Sequence, residues 1–116
     1  MGGDWGVSQT PPNDAIGALE AVLGPESTRE VVRLFLHDFP ESVRRVAGAS
    51  REEQMRIVHG IKSSSLHMGA MALSARMAGL EGRLGNPGET LEPDDLMEAV
   101  SDFGDIAPSL RAYAGG

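Results

Sequence analysis

Along the chain, stretches in which apolar residues recur every third or fourth position alternate with short breaks rich in glycine, proline and serine. That spacing places side chains on one face of a helix, whereas a half-buried strand needs alternation of period two, which no stretch sustains. The period begins with Ile16, Leu19 and Leu23, has Asn13 or Asp14 available as N-cap, and stops at Gly24-Pro25. A second, longer helix follows, with Ser27 or Thr28 as its cap, Glu30 near its first turn, and a stripe of Val32, Phe35, Phe39, Val43 and Val46. Arg33, His37, Glu41 and Arg44 fall on its other side. Pro40 interrupts the stripe, removes a backbone donor and crowds the carbonyl of Leu36, so either a kink or a break is expected.

After Gly48 the pattern predicts a third helix over 51–68, opened by Ser50 with Glu53 as a capping box, its apolar arc built from Met55, Val58, Ile61 and Met68 with the small Ser65 among them. Gly69 marks its end or a bend. A fourth helix over 71–84 carries Leu73, Met77, Leu80 and Leu84 and stops before Gly85-Asn86-Pro87-Gly88. A fifth, over 93–113, carries Leu96, Val100, Phe103, Ile106 and Leu110, with Pro108 expected to kink or shorten it. Met55, Met68, Met71 and Met77 are all spaced like core residues. The class is therefore all-α, and connections this short favour antiparallel neighbours packed as a bundle. Residues 1–12, with three glycines and two prolines, read as a flexible lead in which Trp5 packs late or not at all, ahead of a single domain over 13–114. The glycines at both ends also look like the edges of a segment cut from something longer.

Composition narrows the function classes. The 116 residues are enough for one self-sufficient core. Cysteine is absent, which excludes disulfides, thiolate metal sites and cysteine nucleophiles and fits a reducing cytoplasm. A net charge of -7 argues against a nucleic-acid or membrane-surface binder, since both need a concentrated basic face. No apolar run approaches the ~20 residues of a membrane span, and neither a signal peptide nor a phosphate-cradling P-loop occurs. No Glu-x-x-His pair and no two histidines four apart support a metal site, so no cofactor is expected in this chain.

The stretch with chemical content runs from His59 to Ala70. At ~100° per residue His59 sits at the border of the arc centred near Val58, rooted by packing and still able to reach water. Lys62 and Ser63, three and four residues on, share its face. A neutral imidazole is a nucleophile toward a phosphoryl donor, and an unperturbed one, with pKa about 6.5, is mostly neutral near pH 7. The transferred group then brings roughly two negative charges, which an ammonium one turn away stabilises. The small Ser63 and Ser64 leave room for a second protein to approach.

The pattern H-x-x-K-G-[SA]-[SA]-x-x-x-G-A, preceded by a proline-containing helix and followed by one ending Leu-Glu, is that of the histidine phosphotransfer (HPt) domain, which this chain resembles at His59, Lys62, Ser64, Ser65, Gly69, Ala70, Leu80 and Glu81. The segment from Phe35 to Pro40 also looks like the family's helix before the active one, and the resemblance covers roughly residues 16–110. It implies a four-helix bundle with an additional N-terminal helix and His59 as phosphoryl carrier between receiver-domain aspartates. Lys62 would assist, and Glu81 would hydrogen-bond the inner ring nitrogen. Arg56, Ser63, Ser64 and Leu66 would form the docking surface for receivers of response regulators or of a hybrid kinase. The Mg2+ of the reaction would belong to the receiver. A monomer is expected, cytoplasmic and either free or tethered within a membrane-bound sensor kinase. The chain departs from the family at Ser63, where glycine is usual; its hydroxyl either donates to the phosphoryl group or narrows the set of receivers that fit.

Blander readings apply elsewhere. His37 and His67 are read as solvated surface, and Lys62 doubles as a snorkelling side chain at the core border. The competing function is a helical docking module that binds a receiver or kinase without carrying phosphate. A ligand-binding bundle lacks any convergent polar cluster at the core positions.

Overall fold

The first helix, α1 (Asp14–Leu23), starts where Asn13 caps it, its Oδ1 accepting from the Ile16 amide at 2.9 Å. It ends at Gly24, whose φ of 84° admits no ordinary side chain without strain, and α2 (Pro25–Val46) begins at the next residue. The computed structural model describes residues 10–115; the lead around Trp5, residues 1–9, lies outside the described residues. Three further helices follow, α3 (Arg51–His67), α4 (Met71–Leu84) and α5 (Met97–Ala114), with a 3₁₀ turn at Pro93–Leu96, and no strand occurs among the described residues. The all-α class read from the periodicity is the one observed.

The start of α2 differs from expectation. Neither Ser27 nor Thr28 is its cap: proline at the first helical position needs no amide partner, and Thr28 Oγ1 instead donates back to the Gly24 carbonyl at 2.7 Å. Pro40 does not break the helix, which continues to Val46. Phe35 and Phe39, before the proline, both pack on Phe103 of α5, Phe39 stacked at 4.2 Å between ring centroids, and Val46, after it, is buried in the same core cluster, so both halves of the helix are held by packing. Pro108 likewise sits within an uninterrupted α5.

α3 packs along α4 and α2 against α5, while α1 lies over α2 and α3. The predicted stripes of α2 and α4 form much of the core, Val32, Phe35, Phe39 and Val46 belonging with Leu73, Met77, Leu80 and Leu84 to one continuous cluster. Three expected core positions are exposed. Leu23 ends α1 in solvent, Met71 lies ~180° round α4 from Leu80, and Val100 sits at the edge of an α5 arc that runs instead through Ala99, Phe103, Ala107, Leu110 and Ala114.

Polar contacts tie the helix ends. Buried Gln54 donates to the carbonyls of Val46 (2.9 Å) and Leu91 (3.0 Å) and accepts from the Leu91 amide at 2.9 Å, joining α2, α3 and the loop before α5. Arg51 donates to the Leu84 carbonyl, so the start of α3 meets the end of α4. At the other end of the molecule Tyr113 hydrogen-bonds Glu20 and Arg29 lies over the Tyr113 ring at 5.4 Å, fixing α1 and α2 to the end of α5.

Candidate functional site

Ser50 caps α3 by accepting from the Glu53 amide at 3.1 Å, and the acidic Glu52 and Glu53 suit the positive end of the helix dipole. The carboxylate of Glu53 closes no box with Ser50; it turns to Arg56. Val58, Ile61, Ser65 and Met68 are buried as expected, joined by Ile57 and Gln54, while Met55 is half-buried. This rooting leaves His59 at the rim of the core with 64% of its side chain exposed.

The turn after α3 sets which residues of α4 meet it. Gly69 has φ +75°, and a Cβ there would lie 2.3–2.4 Å from the side-chain amide of Asn13. That amide donates to the Met68 carbonyl at 2.9 Å while capping α1, so glycine is required both by the backbone and by the close approach of Asn13. Farther along, Ser74 Oγ of α4 reaches the Lys62 carbonyl at 3.2 Å. With this register fixed, Glu81 comes opposite His59 and Lys62.

Glu81 bridges the two. Its Oε2 lies 2.6 Å from His59 Nδ1 and its Oε1 accepts from Lys62 Nζ at 2.6 Å. The Lys62 hydrogen bond, and then that of His59, hold the Glu81 carboxyl below its ordinary value against an opposing effect of partial burial. An ionised carboxylate only accepts, so at this distance Nδ1 must carry the ring proton. Nε2 is left with its lone pair on the end of the ring that leads away from α4. Only a quarter of the Glu81 side chain is exposed, so its pair with Lys62 is better shielded than the surface pairs Arg44–Glu41 and Arg56–Glu53.

The remaining candidates divide by face. Leu66 and Ser63 lie within ~40° of His59 around α3, and both are exposed. Arg56 stands ~60° away, toward α2. Ser64 is turned ~140° away and lines a groove of about 360 Å³ between α2 and α3, which Arg56, Gly60 and His67 also border. His37 is exposed and 3.2 Å from Asp38, and His67 is exposed, as the pattern of their helices suggested. The groove, which the exposed Val31 and Leu34 of α2 help to line, is not foreshadowed by the helical pattern; only this i, i+3 apolar pair lying off the core stripe could have signalled it.

Among the described residues there is no group of three or more His, Asp or Glu placed to hold a metal, and no helix is long and apolar enough to cross a membrane. No family model, curated protein or solved structure matches the chain.

Proposed function

We propose that this chain is a histidine phosphotransfer module: an antiparallel four-helix bundle, α2 to α5, with α1 as an added N-terminal helix, in which His59 carries a phosphoryl group between receiver-domain aspartates. The observation that carries this reading is the bridge from Lys62 through Glu81 to His59 Nδ1, which protonates the inner nitrogen and presents Nε2 to solvent. That is the tautomer a nucleophilic imidazole needs.

In the proposed step the Nε2 lone pair attacks the phosphorus of an aspartyl phosphate on a docked receiver. The N–P bond forms, the P–O bond to the aspartate breaks, and the electron pair leaves on the aspartate carboxylate. The ring becomes a phosphoimidazolium that keeps its Nδ1 proton, and the Glu81 carboxylate balances that positive charge. Lys62 supplies positive potential toward the phosphoryl oxygens, and the receiver's Mg2+ would neutralise part of their charge. The reverse sequence passes the group to a second receiver. Such chemistry needs positioning and charge stabilisation, with no nucleotide site in this chain. Docking would use the exposed face around His59, namely Arg56, Ser63 and Leu66, with Ser64 on the adjoining groove. The reading places the module in the cytoplasm as a monomer, either free or within a hybrid kinase.

The test is transfer from a panel of receiver domains phosphorylated with acetyl phosphate, read by intact mass and acid lability. An acid-labile, base-stable adduct of one phosphoryl group on the wild type, lost in His59→Gln with helicity unchanged by circular dichroism, supports the reading. Receivers that bind both proteins equally and phosphorylate neither would make the chain a docking module without phosphate chemistry.

A further inference from the structure

The two ends of the His59 ring face different neighbours. Nδ1 is turned to Glu81 on α4, so Nε2 leads away from α4, toward the side of α3 on which Ser63 and Arg56 stand, ~40° and ~60° round the helix from His59. Lys62 lies ~60° to the opposite side and its ammonium is held by Glu81 at 2.6 Å. Arg56 is engaged with Glu53. A phosphoryl group on Nε2 would therefore have few uncommitted donors beside it on α3.

Ser63 is one. Serine and threonine in helices often turn the hydroxyl back onto their own backbone, as Thr28 does to the Gly24 carbonyl at 2.7 Å and Ser109 to the Ile106 carbonyl at 3.0 Å. Ser63 is exposed and makes no such bond; Ser65 is buried and Ser64 points to the groove. Residues four apart on a helix have Cβ atoms ~6 Å apart, a gap that the imidazole with its phosphoryl group and a serine side chain can close between them.

We infer that the Ser63 hydroxyl is the hydrogen-bond donor that holds the phosphoryl group on His59 Nε2; the inference rests on the phosphotransfer reading above. In the unphosphorylated protein the Ser63 hydroxyl makes no hydrogen bond to another protein group, so a bond to the phosphoryl group is gained only in the phosphorylated state and stabilises phosphohistidine relative to free histidine. It sets how far the transfer equilibrium lies toward this chain, beyond whatever Ser63 contributes to receiver docking.

The test measures the equilibrium ratio of phosphorylated protein to phosphorylated receiver, using the full chain and one receiver domain charged with acetyl phosphate, for wild type, Ser63→Ala and Ser63→Thr. The affinity of each unphosphorylated variant for the same receiver is measured alongside. Loss of a hydrogen bond to a charged group, weakened by exposure to water, predicts that Ser63→Ala shifts the ratio about three- to tenfold toward the receiver. Ser63→Thr should restore it, and the shift in Ser63→Ala should exceed any change in docking affinity. A ratio unchanged in Ser63→Ala overturns the inference while phosphotransfer stands, as does a threonine variant that behaves like alanine. A shift matched by an equal change in docking makes Ser63 a contact residue and also overturns it. A wild type that takes up no phosphoryl group removes the underlying reading as well, a result distinct from the other three.

Discussion

Replacing Gly69 with alanine is expected to cost far more than a helix-end glycine usually does, and the excess should vanish when Asn13 is removed. The new Cβ would fall 2.3–2.4 Å from three atoms of the Asn13 side chain, too close for any adjustment short of expelling it. Expulsion forfeits the cap on α1, about 1 kcal/mol, and the hydrogen bond to Met68, about another 1 kcal/mol. Placing alanine at φ +75° adds about 1–2 kcal/mol of backbone strain. Gly69→Ala should therefore destabilise by about 3–4 kcal/mol and Asn13→Ala by about 2 kcal/mol. The double variant should cost little more than Gly69→Ala alone, a coupling of about 2 kcal/mol in a double-mutant cycle. Urea unfolding of the four proteins, followed by circular dichroism at constant m-value, supplies the numbers. Additive costs, or a Gly69→Ala penalty below about 1 kcal/mol, would refute the argument that Asn13 packs against this turn. The same turn sets the register of α3 on α4, so the cycle also probes what brings Glu81 to His59.

The helical class and most of the core could be read from the sequence because leucine, phenylalanine and valine repeat along one face of α2 and α4. What escaped the periodicity had a physical cause in each instance. The buried arc of α5 passes through Ala99, Ala107 and Ala114, residues too small to register as a stripe, and Val100 was credited with their place. Gln54 is buried because its amide satisfies three backbone groups from distant segments, a role no local pattern encodes. Local chemistry predicts a kink or a break at the proline in α2; the helix continues because Phe39 before it and Val46 after it are both buried in a core that includes Phe103, which lies 64 residues farther along the chain than Phe39. At the candidate site the motif singled out His59, Lys62 and Glu81 individually. That one carboxylate would bridge the other two required the register of α4 on α3, which the Asn13 and Gly69 contact helps to fix.

Glu81→Gln retains one acceptor where the carboxylate serves two donors, so phosphotransfer through His59 should fall roughly tenfold, the equivalent of about 1.4 kcal/mol; an unchanged rate in rapid-quench assays would argue that Glu81 has no part in orienting the ring. Because the folded-state value of Glu81 is depressed, its contribution to stability is present above the ordinary carboxyl value of 4.5 and lost as pH falls through the depressed value. The stability gap between wild type and Glu81→Gln should accordingly narrow on acidification in chemical denaturation, and a gap that widens contradicts this. Tyr113, the only tyrosine, is pushed up to about 12, first by burial and then by its hydrogen bond to Glu20. Its stabilising effect is full below the ordinary value of 10.0 and lost as pH rises through about 12. Ultraviolet titration should find its midpoint well above 10.0, and a midpoint at the ordinary value would show that the clamp on α1 is open.

The central claim is that Glu81 fixes the Nδ1 proton of His59 and leaves Nε2 to carry the phosphoryl group. The most direct measurement is phosphorus–nitrogen correlation NMR on 15N-labelled protein phosphorylated by a receiver domain. The account predicts one adduct, with phosphorus coupled to Nε2 of His59 and the Nδ1 proton still present. Phosphorus on Nδ1, on His37 or His67, or on no histidine would contradict it.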